Sequence, residues 1–177
     1  MTRSSGKTRT TLQQRHDQVD KRLLDENAIM QICFVTDNLE GSLAWFSDLT
    51  GMTPSHIGKA ADHEEALATY HGKPAEVSCR LAIFSFDNID VEFLEPGPEK
   101  SAWRDGLEQK GPGVHHIAFK TRNLTKRGAY LTGKGFAELQ RAEFDGSHGR
   151  YAYYDTTKEL GIQIELLEWN NDMEPQA

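Results

Sequence analysis

Gly113-Val114-His115-His116-Ile117-Ala118-Phe119-Lys120-Thr121-Arg122-Asn123-Leu124 is the stretch that decides the fold. The turn Gly111-Pro112-Gly113 launches it, and Val, Ile and Phe then recur at the period of a half-buried strand. Asn123 ends the strand and can cap a helix beginning at Leu124. A near-copy, Ile32-Cys33-Phe34-Val35-Thr36-Asp37-Asn38-Leu39, lies 85 positions earlier. Both read Ile-x-Phe-x-Thr-x-Asn-Leu, preceded by Gln31 in the first copy and His116 in the second. A second matched pair, Val91-Glu92-Phe93-Leu94-Glu95-Pro96 and Ile164-Glu165-Leu166-Leu167-Glu168-Trp169, is offset by 73. The order is opening strand, closing strand, opening strand, closing strand. Two matched segments in one order argue for a duplicated supersecondary unit.

Working outward, the first unit starts with a strand over 29–36. A helix follows over 39–49, with Leu43, Phe46 and Leu49 on one face and Gly51 as its stop. Residues 52–62 read as loop or irregular strand. Strands near 66–70, 77–86 and 89–94 complete a β-α-β-β-β unit. The second unit repeats the plan, with a helix over 124–133 and strands near 137–144, 151–155 and 162–167. Between the units, a helix over 101–110 is capped by Ser101, stopped by Gly111 and anchored by Trp103 and Leu107. The expected division is a polar tail or helix over 1–28, a first module over 29–96, a linker helix over 97–112, a second module over 113–169 and a polar tail over 170–177. In the first of these, Leu12, Val19 and Leu23 form a weak helical stripe.

The chain has 177 residues and a net charge of −7. Its length fits one domain, or two small halves sharing a core. The acidic balance argues against a nucleic-acid backbone as partner. The apolar runs are too short to span a membrane, and no signal-peptide pattern opens the chain. Cys33 and Cys79 are too few for a disulfide framework, so a cytoplasmic setting and buried free thiols are expected. Cys33, two residues from Gln31, shares its face of the strand. The expected partner is a small-molecule substrate, with no nucleic acid and no membrane.

Strand parity then places the chemistry. Side chains alternate faces, so Gln31 and His116 lie opposite the apolar rows of the opening strands, and Glu92 and Glu165 opposite those of the closing strands. If the modules pair symmetrically, Gln31, Glu92, His116 and Glu165 converge on one concave sheet. One amide oxygen, two carboxylates and one imidazole make a divalent-metal site, harder than a structural zinc site because it has no thiolate. Zn²⁺, Ni²⁺, Co²⁺ and Mn²⁺ are the candidate ions.

On these residues the chain resembles the vicinal oxygen chelate superfamily over roughly residues 29–169. The resemblance implies an α+β glyoxalase fold, two paired β-α-β-β-β modules forming a concave mixed sheet, here with an extra N-terminal helical tail. It also implies Gln31, Glu92, His116 and Glu165 as metal ligands, and a homodimer. The set Gln-Glu-His-Glu resembles that of animal glyoxalase I. The stretch from Phe93-Leu94-Glu95-Pro96 to Gly111-Pro112-Gly113-Val114-His115-His116-Ile117-Ala118-Phe119 is similar to methylmalonyl-CoA epimerases, which usually carry His where this chain has Gln31.

The implied activity is a metal-dependent isomerase or epimerase that removes a proton next to a carbonyl. Glu165 is the first choice of base and Glu92 the second, flanking the reacting carbon from opposite sides. The substrate is an acyl-CoA or a thiol adduct; for an acyl-CoA, Lys120, Arg122, Lys126 and Arg127 are a cation cluster, although solvated helix-end charges are the preferred reading. Arg150, Tyr151 and one of Tyr153 and Tyr154 could line the mouth of the cup. His115 is expected to face away from His116 in a structural role. The competing readings are a glyoxalase I-type lactoylglutathione lyase, a metal-free small-molecule binder and, ranked low because of Gln31, an iron-dependent ring-cleaving dioxygenase.

Overall fold

The computed structural model describes residues 23–60, 66–144 and 148–170. Its elements in chain order are β1 (Gln31–Val35), α1 (Leu39–Thr50), β2 (His56–Lys59), β3 (Thr69–Tyr70), β4 (Lys73–Pro74), β5 (Cys79–Ser85), β6 (Asp90–Pro96), α2 (Ala102–Lys110), β7 (Gly113–Lys120), α3 (Leu124–Gly133), β8 (Glu138–Phe144), β9 (Gly149–Tyr154), α4 (Thr157–Leu160) and β10 (Gln163–Trp169). The ten described strands form one curled mixed sheet in the order β2-β5-β6-β1-β7-β10-β9-β8-β3-β4. The two modules meet where β1 and β7 pair antiparallel. On either side of that seam each opening strand pairs in parallel with its own closing strand, β1 with β6 and β7 with β10.

The repeated sequence words are repeated helix caps. Asn38 Oδ1 accepts from the Gly41 N–H at 3.0 Å, and Asn123 Oδ1 from the Lys126 N–H at 3.0 Å. Thr36 and Thr121 hydroxyls accept from the N–H groups of Asn38 and Asn123. The last glutamate of each closing strand then caps the first helical residue: Glu95 accepts from Leu39 N–H at 2.8 Å, and Glu168 from Leu124 N–H at 3.0 Å. Each carboxylate is paired in turn with an arginine from a neighbouring strand, Arg80 for Glu95 and Arg150 for Glu168. Orphan amides at a helix start attract anions, so one device satisfies both backbone and charge.

The apolar rows go where alternation sends them. Leu39, Phe84 and Phe93, with Phe34, Leu43 and Phe46, form the core beneath α1. Leu124, Leu131, Tyr154, Ile164 and Leu166, with Ile117 and Phe119, form the core beneath α3. The opposite face gathers Cys33, Val35, Leu94, Ala118, Trp103 and Tyr153 on the concave side. Trp103 and Leu107 anchor α2 there, with Ser101 as its side-chain cap.

Several expectations are corrected. Leu49 is 65% exposed, because the short helix needs only Leu39, Leu43 and Phe46 to cover its half of the sheet. The second strand of the first module is β2, not the stretch 66–70, and it pairs with β5. A strand over 66–70 is broken by Leu67, whose φ of +44° leaves the extended region. The residues after it leave their own module: β3 pairs antiparallel with β8, at the far edge of the second. The segment 66–77 therefore straps the concave side, with Ala66, Ala68 and Val77 buried beneath it and the Tyr70 hydroxyl bonded to Asp105 of α2. The expected N-terminal helix falls largely outside the described residues; 23–28 is irregular chain, where Asp25 accepts from Thr121 and from the Arg122 N–H and pairs with Arg127.

The two caps differ in burial, which sets an order of stability loss. Glu168 has a side chain 1% exposed, against 26% for Glu95. Glu168→Ala strands a buried amide and an arginine and is expected to cost about 3 kcal/mol. The screened pair at Glu95→Ala should cost about 1 kcal/mol. Urea unfolding of both variants checks this, and equal losses would contradict the reading.

Candidate active site in the concave sheet

Register brings the polar residues of the four central strands into two rows. In one row Cys33 of β1 stands directly between Glu92 of β6 and His116 of β7, and His116 is followed by Gln163 of β10. In the next row Gln31 stands beside Ala118, which is followed by Glu165. Gln31, Glu92, His116 and Glu165 are all buried on this face. His116 Nε2 lies 3.0 Å from a Glu165 oxygen and 3.7 Å from a Glu92 oxygen. Gln31 and Cys33 favour the ionised form of the Glu92 carboxyl, and Tyr153 that of Glu165. The structure thus brings these four residues together on one face, adds Cys33, to which the sequence gives no role, and sets Tyr153, a candidate for the mouth of the cup, beside Glu165. Parity with Gln31 was the available signal for Cys33.

His115 differs from expectation. The β1–β7 register shifts between Cys33 and Phe34, which makes His115 the extra residue of a β-bulge. A regular strand would point it away from His116. Instead the two Nδ1 atoms are 2.9 Å apart, and His115 Nε2 is 2.9 Å from the Ala102 carbonyl oxygen. Gly106 makes room for the ring, since a Cβ there would lie 2.5 Å from His115 Cδ2. A carbonyl can only accept, so His115 Nε2 carries the proton and its Nδ1 accepts from His116 Nδ1–H. His116 Nε2 is left as a lone-pair acceptor, and it has no hydrogen-bond partner among the described residues.

Burial controls the charges. It pushes the His116 pKa down to about 4, against the pull of Glu92, and that of His115 to about 3. It pushes Glu165 up to about 8, with Tyr153 opposing the shift. Glu92 is also raised, chiefly by burial, with His116, Cys33 and Gln31 opposing the shift. At neutral pH the cluster is a neutral imidazole facing two carboxyls that resist ionising.

A cavity of about 600 Å³ opens onto Gln31, Glu92 and Glu165. Its walls are mainly apolar, including Met30, Leu81, Leu94, Trp103, Leu167 and Trp169. Tyr151 and Tyr153 line it, whereas Tyr154 packs beneath α3 on the other face. Arg150 is engaged with Glu168 and lies outside the cup. The cation cluster takes the structural reading: Arg127 is buried against Asp25, Arg122 lies near Glu26, and Lys120 sits 5.6 Å over the Trp169 ring.

The fold has close parallels. A variant of Streptomyces coelicolor methylmalonyl-CoA epimerase in complex with 2-nitronate-propionyl-CoA superposes with a TM-score of 0.58, covering 84% of this chain and 98% of that one at 22% identity. A methylmalonyl-CoA epimerase in complex with methylmalonyl-CoA and NH4+ gives 0.60 at 21% identity, covering 84% and 98%. The Mycobacterium tuberculosis methylmalonyl-CoA epimerase gives 0.57 at 17% identity, covering 80% and 87%. In sequence, the uncharacterized protein YqjC of Bacillus subtilis (strain 168) is 27% identical over 117 residues, 66% of this chain and 79% of that protein. Residues 30–154 match the model of the Glyoxalase/Bleomycin resistance protein/Dioxygenase superfamily, and with paired modules and a concave mixed sheet the chain belongs to that superfamily, the vicinal oxygen chelate group.

Proposed function

We propose that the chain is a divalent-metal-dependent epimerase or isomerase, moving a proton on the carbon beside the carbonyl of an acyl-CoA, in the manner of the methylmalonyl-CoA epimerases. The observation that carries this reading is the pair of buried carboxyls, Glu92 and Glu165, flanking an unsatisfied His116 Nε2. The residues fit a cation. Two ligand atoms about 2.1 Å from one ion and at right angles stand about 3.0 Å apart, and the His116–Glu165 separation is 3.0 Å. A buried nitrogen with no partner is costly, and a cation relieves that cost. Gln31, Glu92, His116 and Glu165 would hold the ion, with zinc, nickel, cobalt or manganese as candidates.

When bound, the ion supplies a Lewis-acid charge that makes the hydrogen beside a carbonyl easier to remove. The rest is work for the chain. Glu165 takes the proton in its ionised form, which the charge of a bound cation would favour, and Tyr153 stands beside its carboxyl. Glu92 stands across His116 and returns a proton from the other side, which inverts the carbon. The Trp103 indole N–H has no partner among the described residues and can donate to a substrate oxygen. The apolar walls keep water from the stripped carbon. A glyoxalase I-type lyase is the second reading, favoured by Gln31 in place of the epimerases' histidine. The unsatisfied His116 nitrogen weighs against a metal-free binder.

In deuterium oxide the metal-loaded protein should wash deuterium into the position beside the thioester carbonyl of racemic 2-substituted acyl-CoAs. Glu165→Gln should slow that exchange roughly 10²- to 10⁴-fold. No exchange with any acyl-CoA, together with turnover of a methylglyoxal–thiol adduct, would hand the site to the lyase.

The metal-free protein should also show a distinctive pH profile. Glu165 has a folded pKa of about 8, above its ordinary value of 4.5, so the folded state holds the proton that the unfolded state loses. Its contribution is fully present below pH 4.5 and is lost as pH rises to 8. His116 acts oppositely below its ordinary value of 6.5, so the clean window is 6.5 to 8. There, chemical denaturation should report stability falling by about 1.4 kcal/mol per pH unit. Saturating zinc should abolish the slope and release protons on binding. A flat metal-free profile would contradict this account of Glu165.

A further inference from the structure

We infer that Cys33 is a sulfur ligand in this site, so that the ion is held by thiolate, imidazole and carboxylate together. The inference rests on the metal reading above and alters its chemistry: the expected ligand set had no thiolate. Register is the first support. Cys33 is the residue of β1 that stands between Glu92 and His116 in the same cross-strand row, and its side chain is fully buried on the concave face. Distance is the second. The donor atoms of Cys33, Glu92 and His116 all lie within 4.8 Å of one another.

The unsatisfied His116 Nε2 is the independent observation that this cluster faces a ligand. The bond between the two histidines and that of His115 to the Ala102 carbonyl fix this nitrogen as an acceptor, and no hydrogen bond reaches it among the described residues. The thiol's neighbours in its row are Glu92 and His116, the other two of the three. An ordinary buried cysteine behaves as a small apolar side chain with a weak donor. This one instead stands within 4.8 Å of a buried carboxylate and a buried imidazole. Gln31 of the next row favours the ionised form of Glu92.

Coordination balances simply. The S–H bond breaks, its proton leaves for solvent by way of the Glu92 carboxylate, and the sulfur lone pair forms the bond to the ion. A thiolate in the set favours borderline ions such as zinc and cobalt over manganese and magnesium.

Cobalt(II) titrated into the full-length metal-free protein tests this. Ligand-field bands in the visible report that cobalt is bound near its ligands. A sulfur-to-cobalt charge-transfer band in the near ultraviolet reports the thiolate. The expected result is both in the unaltered protein, with the charge-transfer band lost in Cys33→Ser and Cys33→Ala and kept in Cys79→Ala. Zinc affinity should fall roughly tenfold or more in Cys33→Ser, with manganese affinity little changed. Ligand-field bands without a sulfur band in the unaltered protein would overturn the inference and leave the metal reading standing. A sulfur band that survives in both Cys33 variants and disappears in Cys79→Ala would overturn it too. Absence of cobalt binding would overturn both together. The unaltered protein decides the first and last of these outcomes, so poor folding of a variant does not rescue the idea.

Discussion

The antiparallel pairing of β1 with β7 is the contact on which the remainder depends. It is where the two modules become one sheet, and it sets which residues stand opposite each other across the seam. Cys33 faces His116 because of that register, and each opening strand carries its closing strand alongside in parallel. A slip of one residue would turn every side chain of a module to the other face. The cluster and the apolar cores are therefore fixed by the same hydrogen bonds.

The bulge at His115 lies in that seam. An extra residue bends the strand locally and re-aims a side chain. Here it lets two neighbouring histidines meet nitrogen to nitrogen, with the Ala102 carbonyl of α2 as the far end of the chain of bonds. The linker helix thus reaches the site indirectly. Its backbone carbonyl selects the tautomer of one ring, which selects the tautomer of the next.

Much of this was legible in the sequence. The repeated Thr-x-Asn-Leu words and the glutamates of the closing strands mark the module ends, and they proved to be the parts of a helix cap. Alternation alone put Gln31, Glu92, His116 and Glu165 on one face, because side-chain period is a local property of a strand. The bulge was not legible: an inserted residue shows only against the partner strand, 85 positions away in the repeat. Nor was the destination of the segment after Leu67, since pairing between Thr69 and Arg141 is a tertiary choice that no local pattern announces. Alternation gives the face of Cys33 but not a role, because a lone thiol in a strand resembles any other small buried side chain.

The strap has a consequence for how the chain can be divided. Duplication commonly leaves halves that could live apart, each completing the other as an equal. Here β3 and β4 from the first half finish the edge of the second, and the Tyr70–Asp105 bond clasps them to the linker helix. A chain cut at Gly111 would yield one fragment with a hairpin lacking its neighbour and another with β8 bare along one side. An open strand of that kind invites pairing with strangers. The halves have become unlike, and neither is a subunit any longer.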